Sequence, residues 1–365
     1  MPPLTVMIKP VSGACNMRCA YCFYADETAH REAGCCPPMA FEALERVIRR
    51  TMLFAEQRVT FVFQGGEPTL AGLSYFEQVV RLQRQNNPRQ IAVNNVVQTN
   101  GLILQDALID FFVRESFLIG VSVDGCREIH DQNRLDAKGK PTYDRVMDNI
   151  QRLKDAGAAY NILCVLTDEV ARRADAVLDA LIPHRYLQFI PCMDPIDGAS
   201  APALTADAYA RFLARSFERY EALFFAGPPL SIRFFDNLVN MLCGHAPESC
   251  AMCGHCGLAP VIESDGSVYP CDFYALDEWK LGNILEMPLR RILSGPKALQ
   301  FVARSMDVPE ECRQCLWYSL CRNGCYRERD GQTHQSCHCD AMRRFFSAYF
   351  PRLERIAQAV SSRRW

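Results

Sequence analysis

Nowhere in these 365 residues do about 18 apolar side chains run together, so no membrane-spanning helix is expected. The opening stretch, Met1-Pro2-Pro3-Leu4 onward, lacks the basic and then apolar segments of a secretory leader. Neither sign of charge is in excess, with 40 Lys and Arg against 42 Asp and Glu. That balance gives no reason to expect nucleic acid or an anionic membrane as partner. Low-complexity tracts and short internal repeats are also missing. A soluble, cytoplasmic protein is the expectation, with 49% apolar residues to build a sizeable core.

Cysteine is what the chain has in quantity: nineteen residues. A reducing compartment keeps thiols free, so clustered cysteines there point to metal rather than to a disulfide framework. The odd count and uneven spacing also disfavour a fully paired scaffold.

The first 200 or so residues alternate short apolar runs with amphipathic stretches. Strands are predicted at Leu4–Val11, Val59–Gln64, Ile91–Thr99, Phe117–Asp124, Tyr160–Thr167 and Tyr186–Cys192, and their composition suggests burial on both faces. Helices are predicted at Met39–Ala55, Tyr75–Arg84, Gln105–Arg114, Tyr143–Ala156 and Glu169–Leu181. Such alternation implies an α/β fold, a parallel sheet with helices outside, open or as a partial barrel. Beyond about Ser200 the rhythm changes to one long helix, Thr205–Phe225, closed by Gly227-Pro228-Pro229. From Cys243 to Cys339 the chain is rich in cysteine and loops, where metal ligation would supply stability that a small core cannot. A last helix near Ala341–Ala359 would pack back on the body. The expected division is 1–230 and 231–365.

Cys15, Cys19 and Cys22 lie just after the first strand, in Cys-Asn-Met-Arg-Cys-Ala-Tyr-Cys. Parallel βα folds carry function at the C-terminal ends of strands. Three thiolates in one tight loop can hold three irons of a 4Fe–4S cluster and leave the fourth open to a small ligand. Zinc is the alternative, and His30 is the only nearby histidine to complete it. The second strand runs into Gln64-Gly65-Gly66-Glu67-Pro68, where glycines permit close backbone approach or simply a turn. A second field follows: Cys250, Cys253, Cys256 and Cys271, then Cys312, Cys315, Cys321 and Cys325, then Cys337 and Cys339. Zinc ribbons share such pairs, but the downstream run has more members than one tetrahedral site uses.

The C-x3-C-x2-C triad with Tyr21 before its last cysteine resembles the radical S-adenosylmethionine (SAM) superfamily. The likeness implies a partial (β/α)6 barrel, a 4Fe–4S cluster on Cys15, Cys19 and Cys22, and SAM on the open iron. It further implies SAM contacts from Tyr21, Gly65, Gly66, Glu67, Ser122, Arg134 and Met193. A bulky side chain at Gly66 is then expected to weaken SAM binding with iron retained. The downstream cysteines resemble the SPASM extension, which implies two auxiliary 4Fe–4S clusters. One would use Cys250, Cys256, Cys271 and Cys325, the other Cys312, Cys315, Cys321 and Cys339, leaving Cys253 and Cys337 as extra thiols.

Within that group the chain is similar to the anaerobic sulfatase-maturating enzymes. The likeness rests on Ile8-Lys9-Pro10, Cys22-Phe23-Tyr24, Phe63 through Gly72, Asn161 through Val165, Glu263 through Tyr274 and Leu281 through Ile284. It implies oxidation of one Cys or Ser of a sulfatase, in a C/S-x-P-x-R segment, to Cα-formylglycine. Asp272 then matches the base that takes the thiol or hydroxyl proton. A flavodoxin or ferredoxin is the implied electron donor. Two alternatives stay open here: another SPASM enzyme that crosslinks a ribosomal peptide, and a zinc-binding module.

Overall fold

The computed structural model describes residues 3–198 and 203–362. Twelve strands are named in chain order: β1 Leu4–Ile8, β2 Met17–Cys19, β3 Arg58–Phe63, β4 Ala92–Thr99, β5 Leu118–Ser122, β6 Arg134–Asp136, β7 Tyr160–Leu166, β8 Tyr186–Pro191, β9 Ser231–Ile232, β10 Val261–Ile262, β11 Ser267–Tyr269 and β12 Gly282–Asn283. The chain forms two compact units. The first holds residues 1–123, 130–160 and 258–301, and the second holds 124–129, 161–257 and 302–365.

In the first unit the strand order is β12-β11-β10-β1-β3-β4-β5, an open and mostly parallel sheet. β1 lies parallel to both β10 and β3, while β11 and β12 are added antiparallel. All six predicted strands of the first 200 residues form, each within a few residues of its expected ends. Burial departs from expectation in β3, where Val59, Phe61 and Phe63 are buried while Thr60 and Val62 are only half-buried. One face therefore packs under helices such as Phe41–Phe54 and Leu73–Gln85, and the other stays partly open. The packed side carries an aromatic cluster in which Phe112 meets Phe76 at 5.0 Å and Phe117 at 4.8 Å between ring centres. The half-open side is where strand ends can offer polar groups.

The second unit has β7, β8 and β9 in parallel and the helix Ala206–Ala226. Thr205 caps that helix by accepting from the Ala208 amide. The predicted helix 169–181 is two pieces, Asp168–Arg172 and Ala174–Leu181, because Arg173 leaves helical geometry at φ −100° and ψ 35°. The final helix, Cys339–Ser362, packs on Ala206–Ala226 through Phe217, Phe345 and Tyr349. Arg352 and Arg355 both reach the buried carboxylate of Glu221. No helix among the described residues is long and apolar enough to cross a membrane.

Candidate active site and cluster ligands

The loop after β1 carries the triad, and the turn after β3 grips it. Gly66 N–H donates to the Ser12 carbonyl and Glu67 N–H to the Ala14 carbonyl, each at 2.8 Å. A Cβ on Gly66 would stand 1.9 Å from the Ala14 oxygen, so glycine is required for the two loops to meet. A larger side chain at Gly66 would have to displace the Cys15 loop, whose Ala14 oxygen lies in its way. Glu67 is buried, and its carboxylate accepts from the Thr69 amide and hydroxyl, the Thr99 hydroxyl and the Asn100 amide. Its side chain thus ties the end of β3 to the end of β4.

The three thiols of the triad are half-buried. Cys15 Sγ accepts from the Met17 amide at 3.4 Å and from Asn100 Nδ2 at 3.6 Å, and Cys19 Sγ accepts from Arg134 Nη1 at 3.7 Å. Burial raises the Cys15 pKa, while the Met17 and Asn100 hydrogen bonds oppose it by favouring thiolate. Donors aimed at sulfur suit a thiolate bound to iron. Arg134 also lies over the Tyr21 ring at 5.6 Å, and Ser122 Oγ accepts from Gln98 at 3.1 Å. Met193 follows β8 in the second unit.

Asp272 opens a one-turn 3-10 helix, Asp272–Tyr274, after β11. Its Oδ1 accepts from Lys9 Nζ at 2.6 Å and its Oδ2 from Gln64 Nε2 at 3.0 Å. Because β1 pairs with β3 and β10, the chain ends beyond those strands converge, and residues 263 apart in sequence meet. Lys9 is fully buried, with its ammonium 3.7 Å from the centre of the Tyr24 ring. Tyr24 donates to Glu263 Oε1, which Arg31 Nη1 also reaches at 2.7 Å. Glu27 is buried beside this group; burial, then the Asp272 charge, push its pKa up to about 8 against the pull of Lys9. Lys9, Gln64, Tyr24 and Glu27 were not singled out from sequence, since each reads there as an ordinary strand-end or helix residue.

In the second unit Cys312, Cys315, Cys321 and Cys339 line one cavity of about 220 Å³, and Cys337 does not. Burial and the neighbouring thiols push Cys321 up to about 11 and raise Cys312 and Cys339 as well. Clustered thiols that resist ionising are stabilised as thiolates once a cationic group shares their charge. Among the described residues no three Cys, His, Asp or Glu side chains converge on a single metal ion. Four thiols lining one cavity are enough for a cluster with one sulfur on each iron. Cys250 feels both Cys253 and Cys256 nearby, and the Cys253 thiol donates to the Ser249 carbonyl at 3.6 Å. Cys325 belongs to the same unit, whereas Cys271 belongs to the first.

Comparisons with known proteins give the class first. The radical SAM superfamily matches residues 10–180, and the SPASM iron–sulfur cluster-binding domain matches residues 250–316. A cysteine-type anaerobic sulfatase-maturating enzyme of Clostridium perfringens is 38% identical over 369 residues, covering 99% of this chain and 100% of the relative. A serine-type anaerobic sulfatase-maturating enzyme of Bacteroides thetaiotaomicron is 29% identical, covering 96% of this chain and 91% of its own length. The solved structure of native anSMEcpe with bound AdoMet and Cp18Cys peptide is 38% identical, covers 98% of this chain and 100% of its own, and superposes with a TM-score of 0.93. The chain belongs to the anaerobic sulfatase-maturating enzymes of the radical SAM superfamily.

Proposed function

We propose that this enzyme oxidises a cysteine of a sulfatase, within a C-x-P-x-R segment, to Cα-formylglycine, with Asp272 as the base. The observation that carries the assignment of the base is the fixing of Asp272 between Lys9 and Gln64, beside the strand ends that bear the Cys15 loop. When bound, SAM and its cluster would supply the 5′-deoxyadenosyl radical that removes a Cβ hydrogen, and auxiliary clusters held by the downstream cysteines would be available to accept the second electron.

The residues then handle a proton. Losing an electron from the substrate's carbon radical is easier once the heteroatom is deprotonated, so a carboxylate held at the thiol is required at that moment. Lys9 and Gln64 leave Asp272 one orientation and keep it there. A thiol, with its ordinary pKa about 8.5, gives up its proton to a carboxylate far more readily than an alcohol does. The cysteine-type relative at 38% identity, against 29% for the serine-type one, supports the same choice. Hydrolysis of the resulting thioaldehyde yields the aldehyde and hydrogen sulfide.

The triad Cys15, Cys19 and Cys22 would hold the SAM cluster. The cavity set Cys312, Cys315, Cys321 and Cys339 would hold one auxiliary cluster, and Cys250, Cys256, Cys271 and Cys325 the other. Tyr21, Gly65, Gly66, Ser122, Arg134 and Met193 would bound the SAM pocket, with Glu67 acting through the backbone it pins. The clustering of the nineteen cysteines supports a reducing, cytoplasmic setting, and a flavodoxin or ferredoxin would be the electron donor. The test is anaerobic incubation of a Cys-type and a Ser-type sulfatase peptide with SAM and reductant, followed by mass spectrometry. Formylglycine on the Cys peptide is expected; conversion of the Ser peptide alone would overturn the substrate choice, and conversion of neither would overturn the reaction.

A further inference from the structure

Asn100 stands at the C-terminal end of β4, and its buried side chain has every polar atom engaged. Its Oδ1 accepts from the Leu102 amide at 2.9 Å. That contact fixes which way the amide faces, because only an oxygen can accept there. Nδ2 therefore points at the Cys15 loop, where it donates to Asn16 Oδ1 at 2.8 Å and to Cys15 Sγ at 3.6 Å. An amide nitrogen has two hydrogens, and both are spent on this loop. The Asn100 backbone is anchored in turn, its N–H donating to Glu67 Oε2 at 2.7 Å.

This is more than the loop needs to hold its shape. Ser12 and Ala14 already receive backbone hydrogen bonds from Gly66 and Glu67. The Cys15 sulfur also already has the Met17 amide as a donor at 3.4 Å. A second donor on the same thiolate draws charge from it and favours the more negative, reduced state of whatever cluster it serves. Radical SAM chemistry begins with an electron entering that cluster. From this geometry we infer that Asn100 is a positioning residue that raises the reduction potential of the Cys15–Cys19–Cys22 cluster through its hydrogen bond to Cys15.

The test reads potential, not turnover. Asn100→Asp keeps the acceptor for Leu102 and replaces the donor with an oxygen; Asn100→Ser keeps a turn-forming oxygen too short to reach Cys15. Each variant, with all its clusters reconstituted, is titrated by EPR, following the signal that changes when SAM is added. At a fixed poise the ratio of reduced to oxidised cluster should fall about tenfold, a shift of about 59 mV for one electron. Iron content should match the parent. An unchanged midpoint in both variants at full iron overturns the inference. Loss of about four irons per chain in both also overturns it, since Asn100 would then be holding the loop together rather than tuning it.

Discussion

Cys15 sits in a loop that three other segments hold: the Gly66–Glu67 turn by its backbone, Asn100 by its side chain and Arg134 by a guanidinium on neighbouring Cys19. Cys312, Cys315 and Cys321 ride instead on one-turn helices and loops between residues 310 and 321, and Cys339 begins the final helix. The first site is shaped by a parallel sheet whose strand ends converge, so its thiols have positions set by the fold. The second lies in a stretch with few apolar anchors, and there the ligand is what would tie the chain. One region is organised by its fold, and the other would be organised by the metal its thiols take up.

Breaking each site should show the difference. Replacing Cys312 and Cys321 by Ala should cost about four irons and open residues 305–339, with tryptic cleavage at Arg313 and Arg322 roughly tenfold faster or more. Replacing Cys15, Cys19 and Cys22 by Ala should also cost about four irons and leave that cleavage pattern unchanged. Iron assays with limited proteolysis check both, and equal proteolytic opening in the two variants would erase the distinction.

The fold-held region has its own weak point at Lys9. Lys9→Met leaves Asp272 charged and short of its partner in a mostly buried place. A loss of about 3–5 kcal/mol in urea denaturation is expected, the cost of breaking a buried pair from one side. A change within about 0.5 kcal/mol would mean that the ammonium is not holding the carboxylate.

A pH-dependent effect sharpens the same comparison. Glu27 is raised from the usual carboxyl range to about 8 in the folded chain. Its neutral form stabilises the fold fully below the unfolded value near 4.5, and that contribution fades as pH rises towards 8. Glu27→Gln stays neutral throughout, so its stability relative to the parent should climb between about pH 5 and 8. Parallel urea midpoints across that range would contradict the burial of an uncharged Glu27.

Much of this was legible in the sequence, because local pattern carries it. Short apolar runs announced the strands, and the spacing of Cys15, Cys19 and Cys22 announced the loop chemistry. Asp272 was reached through its neighbour Cys271 and a family likeness. Lys9 was not, because its role exists only where β1, β3 and β10 lie side by side and bring residue 272 within 2.6 Å. For Gly66 the sequence shows only a glycine turn, and the obstacle to a side chain there, the Ala14 carbonyl at 1.9 Å from its Cβ position, comes from a loop 52 residues away. The hydrogen bond from Asn100 to the Cys15 sulfur likewise depends on where β4 ends beside the Cys15 loop. Contacts of high sequence separation leave no periodic trace, and these residues depend on them.

The central claim is that Asp272 takes the substrate proton while hydrogen abstraction proceeds without it. Asp272→Asn tests this most directly, since an amide can still accept from Lys9 but cannot act as a base. The measurement is the ratio of formylglycine to 5′-deoxyadenosine formed anaerobically from the Cys peptide, alongside the iron count. With iron intact, 5′-deoxyadenosine should still form and formylglycine should fall by roughly 100-fold or more. An unchanged ratio at full iron would contradict the account and remove Asp272 from the chemistry.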